Sequence, residues 1–455
     1  MQQTVGRGSV AAVSLRGYDR ARDAWPLDPE VVHLNHGSFG AVPIEVVRRQ
    51  DELRAHADRN PVGWFPQIPA LVAQARQEIA PFIGARAEDM VFVPNASAAA
   101  TVVYNGLRLA AGDEILVTDH GYGAITMGAR RLARRFGAHV RTVSIPLLAS
   151  DEEVLTRFAA STTPRTRLIV VDQITSPTAR RFPVEQITAQ ARRSGVRVLV
   201  DGAHAPGLID APAQCGEPDW WFGNLHKWPC APRGAAVLVS TAADRDDLWP
   251  LIDSWAAEEP FPARFDTQGT IDATSYLAAP LAISWIEQEY GWSAARETMT
   301  ELVDHGATII GEAIAPYLDS DPVVVSAAQV PSMRLVRMPD TLADRREAAD
   351  RLRDVLFQRA GVEAAFTTFD SRPYLRLSAH LYTEESDFHQ FIERAIPLVL
   401  EASGLAASPG RTRSVGHAPS SPDPSPSKER THETPAFRSR RDGRPVDDRP
   451  GGVLG

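Results

Sequence analysis

Residues 220–228 read WWFGNLHKW, a lysine enclosed by aromatic residues. An amine kept from water gives up its proton more readily and becomes a nucleophile, so Lys227 could act as a Schiff-base amine. The neighbouring His226 could hold an anion. A surface lysine that lays its stem on apolar residues and keeps its amine in solvent is the alternative. Asp201 stands 26 residues earlier, directly after the apolar run 196–200. A carboxylate there needs a cationic or hydrogen-bonding partner if it is buried, or else caps a turn. Asn95, Ala96 and Ser97 follow another apolar run and open a helix. Their N–H groups and the serine hydroxyl suit a phosphate, although Asn and Ser are also ordinary helix caps. Asp119, His120 and Tyr122 follow a third run, and Asp172, Gln173, Thr175 and Ser176 a fourth.

Together these residues meet the requirements of pyridoxal phosphate. Its phosphate needs helix N–H groups, and its ring needs a stacking aromatic or histidine. Its pyridine nitrogen needs a carboxylate, and its aldehyde needs a lysine amine.

Short apolar runs at 90–94, 114–118, 140–145, 168–171, 196–200 and 234–239 predict strands. Helical stretches at 96–109, 126–136 and 184–193 lie between them. This alternation predicts an α/β fold with a mostly parallel central sheet covered on both faces. In such sheets ligands bind beyond the C-terminal ends of the strands, where the polar residues above fall. Beyond residue 260 the pattern changes. Helices are expected at 276–290 and 294–315, strands at 333–337 and 374–378 around a helix at 342–359, and a final helix at 384–401. The expected organisation is an N-terminal arm (1–28), a large domain (29–260), a small α/β C-terminal domain (261–405) and a disordered Pro/Arg/Ser-rich tail (406–455).

The net charge of −9 hides an asymmetry. Residues 409–455 hold nine basic and six acidic residues, so this tail is +3 and the rest of the chain −12. An acidic body argues against general nucleic-acid binding. Two cysteines in 455 residues exclude a disulfide scaffold. No apolar run of about 18 residues predicts a membrane span, and no secretory leader is recognisable, so a cytoplasmic protein is expected. No metal site is expected. PNASA, after the first strand, lacks the glycine pattern of a dinucleotide-binding loop, which disfavours a nicotinamide-dependent oxidoreductase.

The ordered segments LNHGSFG (34–40), PNAS (94–97), TDHGYGA (118–124), DQITSPTA (172–179), VDGAHAPG (200–207), LHKW (225–228), QGTID (268–272) and YLRLSAHLYTEE (374–385) carry a family resemblance. Over roughly residues 25–400 the chain resembles the class V aminotransferase family of fold-type I pyridoxal phosphate enzymes, and within it the isopenicillin N epimerase-like group. The resemblance implies that Lys227 binds the cofactor aldehyde and that Asp201 pairs with the pyridine nitrogen. His204 is then near the ring oxygen or the lysine. Tyr122 is expected to stack on the ring, with His120 as the second choice. Ala96, Ser97 and His226 are expected around the phosphate. Thr270 is expected to reach the phosphate of another subunit, which implies a homodimer with shared sites. Ser176 takes the place of an asparagine found in related enzymes near the ring oxygen. Arg376 is expected to clamp the substrate carboxylate, a task its planar fork suits. Asn35, His36 and Phe39 are expected to line the substrate side, with His36 a candidate proton donor or base.

Such a site loosens the Cα–H bond of a small amino-acid-like substrate. Return of the proton on the other face gives epimerisation, loss of a neighbouring substituent gives elimination, and protonation at the cofactor gives transamination. Lys227 can remove the proton in each. An epimerase or racemase is the first expectation. A C–S β-eliminating lyase or an aminotransferase of secondary metabolism, including antibiotic biosynthesis, is the alternative. A non-catalytic cofactor-binding regulator is disfavoured because Lys227, Asp201 and Arg376 are all present. Related cysteine desulfurases carry a nucleophilic cysteine before the carboxylate-binding arginine. Here no cysteine lies between 231 and 376, so Cys215 and Cys230 are expected to be buried small residues.

Overall fold

The computed structural model describes residues 21–326, 328–342 and 346–405. The expected disordered tail and residues 1–20 of the expected arm lie outside these described residues. A single 3-10 turn, Ala21–Ala24, is followed by β1 (Val32–His33), α1 (Ile44–Arg59), the one-turn α2 (Pro61–Trp64) and α3 (Ile68–Ile83). A short helix within 1–28 is an expectation of the sequence; α1, α2 and α3 are not. In α3 the buried residues Ile68, Val72, Ala75, Ile79 and Ile83 recur every three or four positions and form one apolar stripe. Gly84 ends the helix with a left-handed φ of 74°, which a residue without Cβ adopts freely.

The central sheet is built from β2 (Met90–Val93), β3 (Glu114–Thr118), β4 (His139–Val143), β5 (Thr166–Asp172), β6 (Arg197–Asp201), β7 (Trp220–Asn224) and β8 (Ala236–Ser240). Their order is β2-β8-β7-β6-β5-β3-β4. Strands β3 to β7 run parallel, while β8 is antiparallel to both neighbours. Strands β2, β7 and β8 are buried along their whole length. Such strands must be covered on both sides. The cover comes from α4 (Ala96–Gly106) and α5 (Gly123–Phe136) on one face and α1, α3 and α7 (Val184–Arg193) on the other. Helix α6 (Asp151–Ser161), also unexpected, follows β4.

After β8 come α8 (Thr274–Glu289) and α9 (Trp292–Ile314). Although α8 lies in the range assigned to the C-terminal domain, it packs on α1 and α3. The second sheet is β11 (Ala365–Phe369), β12 (Arg372–Ser378) and β9 (Met333–Arg337), antiparallel throughout. Helices α9, α10 (Arg346–Ala360), α11 (Glu385–Arg394) and α12 (Ile396–Ala402) enclose a third apolar core with it. The short β10 (Val362–Glu363) pairs in parallel with β1 and so draws the N-terminal segment to this end of the molecule. The single helix expected over 384–401 is two, because Pro397 lacks an N–H and restricts the residue before it. Among the described residues no helix is long and apolar enough to cross a membrane.

Candidate active site

The parallel strands β5, β6 and β7 end side by side, and their last residues are Asp172, Asp201 and Asn224. Asp172 and Asp201 are partners in register on adjacent strands, and both are buried. Asp201 accepts a hydrogen bond from the Ala203 N–H at 2.9 Å, and its carboxyl is pushed up to about 6, chiefly by burial. Asp172 is held well above the usual carboxylate range, by burial and then by the charge of Asp201. Two carboxylates so close in a dry site do not both ionise. Burial and the neighbouring charge thus favour the proton on Asp172 and the negative charge on Asp201. The Tyr122 backbone N–H also bonds to Asp172, which ties the turn before α5 to this pair.

Lys227 stands two residues beyond Leu225, in the turn that follows β7. Its Nζ lies 2.9 Å from His204 Nε2. Burial, and then the charge of Arg376, lower the amine to about 7 against the opposing pull of Asp201 and Asp172. An amine lowered this far is a free base at neutral pH far more often than an ordinary lysine. His204 is buried, is held well below its ordinary range by burial and the lysine charge, and leaves Nδ1 without a partner.

Helix α4 presents its N-terminus to this strand end. Asn95 caps it, accepting from the Ala98 N–H at 2.9 Å, while the Ala96 N–H is taken by the Asn224 side chain at 3.0 Å. Ala96 thus spends its donor inside the protein. Ser97 is exposed, and among the described residues its N–H and hydroxyl have no donor–acceptor partner. His226 donates or accepts through Nδ1 with the Ala235 carbonyl at 3.0 Å; since a carbonyl only accepts, Nδ1 carries the hydrogen.

Arg376, on β12, is buried, with about 4% of its surface exposed. Its NH1 donates to the Ser176 carbonyl and hydroxyl at 2.9 and 3.0 Å. Its NH2 donates to Asn35 Oδ1 and Ser38 Oγ at 3.1 and 2.9 Å. All four acceptors are neutral, and its Nε has no partner. Among the described residues no carboxylate pairs with it, and burial lowers its pKa to about 10. Ser176 therefore holds the arginine here; its expected place near a ring oxygen is not where its hydroxyl is engaged. Tyr122 is an electrostatic neighbour of Arg376, and 44% of its surface is exposed.

Two of the expected residues are engaged elsewhere in the protein. His36 is buried behind the lysine turn, with Nδ1 2.8 Å from the Tyr382 hydroxyl and Nε2 3.1 Å from the Lys227 carbonyl. Both of its ring nitrogens are therefore engaged within the protein. His120, the second choice for stacking, is fully buried between Phe182 and Phe369, and its nitrogens meet Thr178 and the Ile145 carbonyl. Thr270, expected to reach the phosphate of another subunit, is exposed in the loop before α8. Phe39, 71% exposed, follows Ser38 at the mouth of the arginine pocket. Both cysteines are buried, and burial pushes the Cys215 thiol up to about 12 and Cys230 higher still.

Asn224 and Ser38 are site residues that sequence reasoning did not select, and Asp172 was noted at a strand end without a role. Asp172 had a signal, since it ends an apolar run as Asp201 does. A separate cleft of about 980 Å³ lies at the opposite strand ends, lined by Arg86, Asp89, Arg197, Asp219 and Arg245 among others. Its guanidiniums are already paired with Asp89, Asp219 and Asp244, so its charges cancel within the protein.

Comparison with known proteins identifies the family. The sequence profile of "Aminotransferase class-V" matches residues 44–317. The chain is 33% identical over 400 residues to isopenicillin N epimerase of Streptomyces clavuligerus, covering 84% of this chain and 98% of that protein. It is 25% identical over 394 residues to the probable chloroplastic L-cysteine desulfhydrase of Arabidopsis thaliana, covering 80% and 82%. A solved structure of a C-DES mutant, with glycine covalently linked to its PLP cofactor, superposes with a TM-score of 0.70 at 21% identity, covering 83% of this chain and 98% of that one. The profile match over more than half the chain and the long, near-complete epimerase alignment show that the chain belongs to the aminotransferase class-V family of pyridoxal phosphate-dependent enzymes.

Proposed function

We propose that the protein is an amino-acid epimerase or racemase that works at the α-carbon of a small amino-acid-like substrate. The observation that carries action at the α-carbon of an amino acid is the juxtaposition of Lys227, an amine lowered to about 7, with Arg376, a buried guanidinium with no carboxylate partner among the described residues. The residues fit pyridoxal phosphate. Lys227 would bond its aldehyde, Asp201 its pyridine nitrogen and Ser97 with His226 its phosphate, while Tyr122 would cover its ring. When bound, the cofactor acts as an electron sink that makes the substrate Cα–H acidic. Arg376 would bind the substrate carboxylate, completing the charge pair its pocket lacks. Lys227 would hold or move the α-proton from its own side, and the half-exposed Tyr122 is the candidate acid on the other. Asp172, by keeping its proton, leaves Asp201 as the single negative charge facing the ring.

The 33% identity to an epimerase along nearly its whole length supports epimerisation. The relatives named as cysteine desulfhydrases support elimination as the second reading. We also infer a cytoplasmic homodimer with shared sites. Its support is the exposed Thr270 beside a loop that leaves Trp249, Leu251, Ile252 and Trp255 exposed. A domain boundary near residue 260 is part of the same reading.

The test is incubation with candidate L-amino acids in deuterated water. Deuterium at Cα with appearance of the D-isomer is expected. A 2-oxo acid with released thiol or ammonia replaces epimerisation by elimination. A Lys227→Ala protein that still exchanges the α-proton overturns the assignment of the base.

A further inference from the structure

We propose that His36 is a positioning residue for Lys227, one that holds the main chain of the lysine turn from beneath and exchanges no proton with substrate. This rests on the reading of Lys227 as the cofactor-binding amine.

The hydrogen-bond chain has a fixed direction. The Lys227 carbonyl can only accept, so His36 Nε2, 3.1 Å away, carries the ring hydrogen. Neutral His36 then has an acceptor at Nδ1, and the Tyr382 hydroxyl, 2.8 Å away, donates to it. Each group has one role: Tyr382 orients the ring, and the ring anchors the lysine backbone. Protonation would place a donor against the Tyr382 hydroxyl and a charge in a dry cluster. Burial, and then neighbouring His380, keep His36 well below its ordinary pKa, in keeping with a permanently neutral ring.

The ring cannot turn toward the cofactor side without breaking its packing. It stacks on His380, with centroids 4.1 Å apart and planes at 21°, and lies against Trp228 at 4.9 Å. Trp228 is the residue after the lysine, and its carbonyl meets His380 Nε2 at 3.1 Å. Two histidines thus bind the carbonyls of two consecutive residues, Lys227 and Trp228, and grip the turn at both. The same N-terminal motif supplies a third hold. The Gly40 N–H donates to the His226 carbonyl at 3.1 Å, and a Cβ on Gly40 would collide with the Lys227 carbonyl oxygen. Only glycine lets the two backbones approach this closely. The carbonyls of residues 226, 227 and 228 are all anchored, so the lysine side chain is the mobile part of a rigid turn. A reacting amine held this way keeps its orientation, which is where much of the advantage of an intramolecular reaction arises.

The test uses His36→Gln and His36→Asn in the full-length protein. Gln places an amide N–H near the Nε2 position and can still donate to the Lys227 carbonyl; Asn reaches only the Nδ1 position. Apoprotein is mixed with pyridoxal phosphate, the lysine-linked chromophore is followed over pH, and borohydride reduction with mass analysis counts the bonds formed. Thermal unfolding is recorded in parallel. His36→Asn is expected to slow cofactor bonding about tenfold, the order expected for loss of one of the two hydrogen bonds on the Lys227 carbonyl, which keeps the Cys230 N–H at 3.0 Å, and to shift the chromophore titration. His36→Gln is expected to restore both. If Gln and Asn behave alike at equal thermal stability, or if His36→Gln bonds the cofactor normally yet loses α-deuterium exchange, the proposal is overturned. In the second case His36 is an acid or base. Covalent cofactor capture by Lys227→Ala would instead overturn the assignment of Lys227 and leave the His36 geometry standing.

Discussion

Arg76 in α3 and Arg376 in β12 are equally hidden from solvent, yet their surroundings are opposite. Arg76 makes a two-pronged pair with Asp266, NH2 to Oδ2 at 3.0 Å and NH1 to Oδ1. Every charge there has its complement within the chain. Arg376 is held by a carbonyl, two hydroxyls and an amide oxygen, with Nε unpaired. A buried charge without a counter-charge is costly, so the fold tolerates at Arg376 what it avoids at Arg76. The difference separates structure from function. Arg76 is complete in the free protein, and Arg376 is complete only with an anion.

This contrast can be broken experimentally. Arg76→Ala should cost about 3–5 kcal/mol of stability, because it strands Asp266 in the interior. Denaturant unfolding measures this, and KM for substrate should stay unchanged. Arg376→Ala should lower kcat/KM about 100- to 1000-fold, as expected when one side of a buried charged contact is lost. Its thermal stability should fall much less than that of Arg76→Ala, since only neutral acceptors lose a donor and no buried counter-charge is stranded; a large loss of stability would put Arg376 in the class of Arg76. The pH dependence sharpens the comparison. Cofactor bonding by apoprotein needs the free Lys227 amine, so its rate should rise about tenfold per pH unit well below 7 and level off above about 7. The positive charge of Arg376 helps lower that amine. Arg376→Ala should therefore move the midpoint upward, and Arg76→Ala should leave it in place. The smallest effect belongs to Ser176→Ala, which removes one of four acceptors from Arg376 and should raise KM about threefold to tenfold.

The sequence was most legible where a residue's type contradicted its surroundings. Lys227 among tryptophans and Asp201 behind valines could be read because charge amid apolar residues needs a reason. Ser38 and Asn224 gave no such signal. Both are neutral, and their work lies only in which donor they face. His36 was visible but its direction was not, since Tyr382 and the lysine carbonyl come from distant segments. Ser176 was placed by analogy near the cofactor, while its hydroxyl accepts from Arg376. For the fold, the runs that became β3 and β9 had matching bounds because short buried strands end at polar residues. Helices α1 and α3 escaped notice although Pro61 and Pro69 mark helix starts nearby, because their stripes are mixed with Arg, Gln and Ala. Pro397 carried the signal for the break between α11 and α12, and its local effect overrode the longer apolar periodicity.

The hold on the lysine turn also dictates an order of assembly. His36 binds partners 191 and 346 positions downstream, and Asn35 meets an arginine 341 positions away. Contacts of such sequence separation form late, since the intervening loop must close first. On the ribosome, the N-terminal motif is made long before its partners, and Lys227 emerges while Tyr382 is still unmade. The amine is present through much of synthesis but acquires its fixed bearing only when the last strand and the turn after it have arrived. Capture of the cofactor in its working orientation is thereby reserved for a chain that has finished folding.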